Sequence, residues 1–443
     1  GEGDPCSSYG NRNFYNYFKD WFGNPQGYSV VGSIYDVWAA NGGDSGWIGP
    51  ATSEMRGYNG AGWSQRFANA DIFVANGQSP RIVTGALRTE YRLVGEVASG
   101  LAWPTTDRVV ITGGAYQDFN GGRIYERADG RAFAIAAPMF EKHESLGNVF
   151  GSFGWPTSRP YGVSGGAMQT FDNGAFYQTT SNVVALDATW NSWYAAAGGP
   201  GGSLGIPTEG VTDLGGGQSR VLFTNAAAYR NGTAFIVVTG PQLKVFADQG
   251  YEKGGLGRPT GAATSIGAGT VQAFNGGDIY ASSAGAFAVT DMAPSLKAAG
   301  GVLSVGFPLE GLRSKGAASS QRFVDATLTH GSGGDQAVRG AIKRAYDSSG
   351  GAAGALGAAR SAEKQVLDGY VQQFDLGTIV CTPAVLTTVP SAVAAAWDAA
   401  GGAGGRLGWP ISAPTTFGTT TQQSFAGGVI LVGTAGKGFP VVG

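Results

Sequence analysis

LGRPTGAATSIGAGTVQAFNGGDIYASSAGAFAV, residues 256–289, holds most of one copy of a unit that recurs along the chain. It opens on an anchor, Leu256-Gly257-Arg258-Pro259, of the form hydrophobic-Gly-x-Pro. Further on stands Phe274, with Gln272 two places before it. Asn275-Gly276 follows, and Asn-Gly between alternating runs is a strong hairpin signal, because both turn residues tolerate left-handed backbone. Gly277-Asp278-Ile279-Tyr280 carries the return strand, and Ala286 to Val289 reads as a third strand.

Outward from this stretch the anchor recurs as Trp47 to Pro50, Leu101 to Pro104, Phe153 to Pro156, Leu204 to Pro207, Val305 to Pro308, Leu356 to Ala359 and Leu407 to Pro410. The copies are therefore eight, with a period of about 51 residues, and a fixed period of this size marks a repeat architecture. A Phe follows each anchor, at 67, 119, 171, 223, 274, 323, 374 and 425. Gln precedes it by two positions in every copy but the fourth, where Val221 stands instead. Asn120-Gly121 and Asn173-Gly174 repeat the turn signal. Helical spacing appears over Ile34 to Gly42, Thr189 to Gly198, Ala341 to Gly350 and Ser391 to Gly401, where the terminal Gly suits a left-handed cap. A large ring recurs in these helices as Tyr91, His143, Tyr194, Phe246, Tyr346 and Trp397, placed to plug the helix onto its sheet. The expected fold is mainly β with short helices, three strands and a helix to a copy. The repeats fill residues 28–443, after an aromatic-rich extension over 1–27 with Phe14, Tyr15, Tyr17, Phe18, Trp21 and Phe22.

Composition narrows the function. With 42% hydrophobic residues the chain can bury a large core, and 77 glycines with only 14% charged residues favour tight turns. The net charge of −2 and the lack of a basic run argue against nucleic acid as a partner. Apolar stretches such as Ala384 to Trp397 are too short to cross a bilayer, so membrane insertion is not expected. Gly1 follows no initiator Met, which reads as a mature or trimmed chain. Cys6 and Cys381 are too far apart for a CxxC pair, and an even count suits one disulfide, expected here to lock the ends of the chain together in an oxidising compartment.

Catalytic groups are scarce. The two histidines differ: His143 sits at the helix-ring position and reads as packing, while His330 lies in a Gly-rich loop with no repeat counterpart. Asp172, Asp325 and Asp375 alternate with Asn at turns, where side-chain to backbone bonds explain them. No metal or nucleotide motif is present, so neither a metal nor another cofactor is expected. Gln65, Gln117, Gln169, Gln272, Gln321, Gln372 and Gln423 face the same way as their Phe and should be buried, tying one copy to the next through backbone groups rather than forming a ring of sugar-binding amides. The third anchor position varies: Trp103, Trp155, Arg258, Phe307 and Trp409 are candidates for ligand contact, since flat rings suit the apolar faces of sugars, with core packing the competing explanation. Tyr125, Tyr177 and Tyr280, at the ends of the return strands, complete the candidate set.

The anchors Leu204-Gly205-Ile206-Pro207, Val305-Gly306-Phe307-Pro308 and Leu407-Gly408-Trp409-Pro410, with the Gln-x-Phe and Gly-x-Ile-Tyr segments, resemble the LGFP repeat. The resemblance extends over all eight copies and is to the repeat region of actinobacterial mycoloyltransferases and cell-wall hydrolases. It implies a propeller-like fold and a secreted or cell-surface module that binds cell-wall polysaccharide, such as arabinogalactan, or another glycan. No G-x-S-x-G elbow occurs, so a non-catalytic module is expected. The alternative is a structural or adaptor subunit that binds a protein partner in a larger secreted assembly. The ends look complementary, since the first copy begins with a helix and the last stops at a strand, and a closed ring is expected.

Overall fold

The computed structural model describes residues 27–443. The chain divides into two compact units, with the division between Thr224 and Asn225. Among the described residues each copy contributes four strands in sequential order, antiparallel to their neighbours. Three of the eight sheets lie wholly within the first unit and four within the second. The second copy is representative: helix Gly85–Val94, a 3-10 turn Glu96–Ala98, and strands Val109–Ile111, Gly114–Phe119, Gly122–Arg127 and Ala132–Ala136. The three expected strands are thus four. The additional one comes first, pairs through only three residues from Val109↔Tyr116 to Ile111↔Gly114, and is too short to display an alternation.

The anchor is held by the hairpin turn that follows it. Asn120 N–H donates to Trp103 O at 3.0 Å and Gly121 N–H to Leu101 O at 2.9 Å. Pro104 then bridges to Phe119. In the first copy the same bonds run from Ala68 N–H to Pro50 O and from Asn69 N–H to Ile48 O, and Ala51 bridges to Phe67. The first anchor is therefore Ile48-Gly49-Pro50-Ala51, one residue later than the sequence pattern places it. The backbone explains the shift: the second anchor position takes positive φ, 77° at Gly49 and 74° at Gly205, where glycine is least strained. In the third copy the turn residues are Asp172 and Asn173, since Gly174 already pairs with Phe171.

Each helix after the first packs between the sheet before it and its own. Phe73 and Val83 from the first sheet, Leu87 and Tyr91 from the helix, and Leu101, Phe119, Ile124 and Ala134 from the second copy form one buried cluster. The core is thus a series of layers shared by neighbouring copies. Where it has a polar tip the helix ring is more than a plug, because the tip bonds the second anchor carbonyl. Tyr91 Oη reaches Ala102 O at 2.6 Å, Tyr194 Oη Gly205 O at 2.6 Å, Tyr346 Oη Gly357 O at 2.7 Å and Trp397 Nε1 Gly408 O at 2.8 Å. Trp38 Nε1 does the same to Gly49 O at 2.8 Å, a member of the set that the displaced first anchor conceals in the sequence. His143 Nε2 lies 3.0 Å from Gly154 O, and a carbonyl partner requires the Nε2–H tautomer. Burying such a ring stabilises by about 2 kcal/mol, and the bond adds about 1. The helix ends on left-handed glycine, as expected, with Gly95 at φ 105°.

Candidate functional site

The buried glutamines act as clasps. Gln169 Nε2 donates to Ser158 O at 2.8 Å, just after its own anchor, and to Ala134 O at 2.9 Å, in the fourth strand of the copy before. Gln65, Gln117, Gln272, Gln321, Gln372 and Gln423 make the same pair of bonds, at 2.7 to 3.2 Å. Both amide protons are spent on backbone carbonyls and the side chains are at most 1% exposed. They tie copy to copy and offer no donor to a sugar. The outer-edge carbonyl of the fourth strand, which would otherwise be open for pairing with another chain, is capped by the same bond.

The third anchor position faces the glycine turn of the preceding copy. A Cβ on Gly62 would lie 2.5 Å from Trp103 Cη2, one on Gly114 2.9 Å from Trp155 Cη2, one on Gly269 2.7 Å from the Phe307 ring and one on Gly369 2.9 Å from Trp409 Cζ2. Trp103, Trp155, Arg258, Phe307 and Trp409 are all half-buried. One part of each ring is used for packing and another remains open. Tyr125 and Tyr177 leave the candidate set, because both are buried and their hydroxyls are engaged, Tyr177 with Asn191 at 2.6 Å and Tyr125 with Glu144 at 3.2 Å. The next helix covers them. Tyr280 is half-buried, with burial pushing its phenol up to about 12.

At Trp155 the open part of the ring meets polar groups. A cavity of about 220 Å³ is lined by Gly113, Arg127, Ala128, Asp129 and Trp155. Asp172 fixes two of its walls, accepting from Trp155 N–H at 3.0 Å and from Arg127 Nη1 at 2.9 Å. Hydrogen bonds from Arg131 hold the Asp129 carboxyl down to about 2, so it is ionised at any physiological pH. A flat ring beside a guanidinium and a carboxylate can take the apolar face of a sugar while the charged groups bind its hydroxyls. Arg127 and Asp129 escape the sequence reading, because Thr179, Ser282 and Thr382 stand at the place of Arg127 in other copies and no repeat pattern marks it.

His330 Nδ1 lies 2.7 Å from Asp335 Oδ1, and Ser295 Oγ donates to the same oxygen at 2.6 Å. The serine bonds the carboxylate and not the imidazole, so the three do not form a nucleophile and base. His143 is buried, and desolvation holds its pKa below the usual value. Among the described residues no group of His, Cys, Asp and Glu could hold a metal ion, and no helix is long and apolar enough to cross a membrane. Cys381 is half-buried and has no disulfide partner among the described residues. Cys6, its expected partner, lies outside the described residues, as does the aromatic cluster from Phe14 to Phe22.

Comparison with known proteins gives a family and little else. No curated protein matches the chain. Among solved structures it is similar to PorZ, an essential bacterial surface component of the type-IX secretion system of Porphyromonas gingivalis, at 8% identity and a TM-score of 0.13, covering 96% of this chain and 49% of that one. It is also similar to the extracellular domain of BT4673 from B. thetaiotaomicron, at 9% identity and a TM-score of 0.16, covering 88% and 46%. The chain thus spans about half the length of these structures, and at such TM-scores the likeness carries no argument. The family model for the LGFP repeat matches residues 101–149 and 256–296, the stretches that open on the second and fifth anchors, so the chain carries LGFP repeats there.

Proposed function

We propose that the chain is a non-catalytic, glycan-binding module that holds its carrier to a bacterial cell envelope, with its copies closed into a propeller-like ring. LGFP repeats are cell-wall-associated, which supports a secreted or surface location. The observation that carries the reading is the cavity at Trp155, where an open aromatic face adjoins Arg127 and Asp129. The reading as non-catalytic is supported by the two histidines, one packed in the core and the other on a carboxylate that a serine shares. Closure is supported by the last strand, Gly438–Val442, where Val441 is 55% exposed while Val389, at the matching place one copy earlier, is fully buried. Closure would cover it.

The test is sedimentation of the purified chain with isolated cell walls, with soluble arabinogalactan as competitor. Asp129 is solvent-exposed, so Asp129→Asn is expected to leave the melting temperature unchanged and to weaken retention several-fold. Retention that neither Asp129→Asn nor Trp155→Ala alters would remove this cavity from the proposal, and no retention at all would leave the adaptor role.

A further inference from the structure

In several copies the place where the following helix meets the third strand of a sheet carries a matched pair of side chains. One member stands four residues after the buried Phe, and the other directly follows the helix ring. In the first copy they are Asp71 and Arg92, joined by bonds of 2.6 and 2.7 Å. In the second they are Arg123 and Glu144, the same pair with its charges exchanged, at 3.3 Å. In the third they are Ala175 and Ala195. In the sixth copy Thr327 donates to Asp347, and Lys343, one helical turn back, places Nζ 2.7 Å from the other oxygen of that carboxylate. Each of these four versions is complementary within itself, whereas in the fifth copy Asp278 meets the Tyr280 hydroxyl at 3.4 Å and no cation among the described residues.

The seventh copy departs from these four. Its pair is Thr378 and Asp398, the same residue types as in the sixth, but the position of Lys343 is taken by Ala394. Neither the Thr378 hydroxyl nor the Asp398 carboxylate bonds to another side chain among the described residues. Between them lies a cleft of about 210 Å³, whose walls include Arg360, Asp375, Thr378, Ser391, Ala394 and Asp398. Asp375 is occupied by Ser332 Oγ at 2.7 Å and by Ala358 N–H at 2.9 Å. With one arginine and two carboxylates the lining carries a net charge of −1. Desolvation raises the Asp398 carboxyl, the direction expected of an acid drawn from water without a counter-charge.

We propose that this cleft is a binding site for a small primary amine, whose ammonium takes against Asp398 the place that Lys343 Nζ holds against Asp347 one copy earlier. The alanine removes both the cation and the four-carbon stem that would fill the space, while the carboxylate that receives the cation, and the threonine opposite it, remain. A charge-assisted bond in a partly desolvated cleft is stronger than a neutral one. The site does not depend on glycan binding elsewhere on the chain.

The probe is n-butylammonium chloride, the lysine side chain without its backbone, titrated into the full chain and followed by NMR at the amides of Thr378 and of Ser391 to Asp398. Saturable shifts are expected, with n-butanol at least tenfold weaker and with at least a tenfold loss in Asp398→Asn. Ala394→Lys should fill the cleft from within, raise the melting temperature and abolish the response. Should that variant not fold, Asp398→Asn decides, since its carboxylate is at the surface of the helix. Equal shifts from n-butanol or in Asp398→Asn overturn the proposal. So does a response that appears only in Arg360→Gln, which would show the chain's own arginine on Asp398.

Discussion

The third and fourth copies differ at one buried position, and the ten residues after the anchor differ with it. In the third, Gln169 takes the carbonyl of Ser158, and the chain loops out before the short first strand Tyr161–Val163. In the fourth, Val221 occupies the clasp position, fully buried, and no amide is available. There the strand begins at once, runs from Pro207 to Gly215 and pairs along the second strand with three register shifts. Arg220 holds the segment instead, bonding Glu209 at 2.6 Å. The clasp therefore competes with strand pairing for the carbonyls of the same segment. Where the side chain supplies a donor the segment stays free of the sheet, and where it does not the backbone must find its donors in the neighbouring strand.

Four experiments would break or sharpen this contrast. The largest effect is expected from Gln169→Leu, which leaves the carbonyls of Ala134 and Ser158 unpaired and should cost about 2 to 4 kcal/mol in denaturant unfolding. Hydrogen exchange should then show new protection after Pro156, as the third copy adopts the fourth's pairing. A loss under about 1 kcal/mol would mean that the clasp is ornamental. Val221→Gln comes next, burying an amide opposite carbonyls already paired in the ladder, and should destabilise by about 1 to 3 kcal/mol. A gain would show that the clasp can be installed anywhere. Glu209→Gln should cost only about 0.5 kcal/mol, because that carboxylate is 51% exposed and the pair is screened. A double-mutant cycle with Arg220→Met measures it, and a coupling above about 2 kcal/mol would contradict that estimate.

The smallest effect separates the two helix plugs by pH. Burial depresses the pKa of His143, so its neutral form contributes fully above the unfolded value of about 6.5, and that stability is lost as pH falls through the lower folded value. Tyr194 fills the same position in the fourth copy, and a phenol is neutral throughout the acid range, with burial raising its pKa further. In a background lacking His330, His143→Tyr should flatten the change in unfolding free energy between pH 7.5 and 5. An unchanged slope would place the titration elsewhere.

Much of this was legible because the repeat marks positions by large side chains. The period, the buried Gln and Phe, and the helix rings could all be read, and so could the role of Gln as a tie between copies. The first anchor was misread because Trp47 to Pro50 fits the pattern as well as Ile48 to Ala51 does, and only the demand for positive φ at Gly49 separates them. The first strand was missed because it holds three residues and is largely exposed, as at Thr264–Ile266 and Lys364–Val366. At the candidate site Trp155 could be singled out by its freedom to vary. Arg127 and Asp129 could not, since they come from the copy before and have no counterparts in register. Tyr125 and Tyr177 were misjudged because what buries them is the following helix, through Glu144 and Asn191, and not their own strand.

The clasp reaches back into the copy before, and in the first copy the carbonyl it takes belongs to Ser29, just ahead of helix Gly32–Ala40. The portion of gene that can be duplicated with every clasp intact is therefore not a helix with its sheet. It begins one strand earlier. Breakpoints just upstream of Ser29, Ile82 or Ala134 hand on each glutamine together with its acceptor, whereas breakpoints at the helix starts part them. Chimeras joined at the two kinds of boundary should differ in solubility even where their folded copies are identical in sequence.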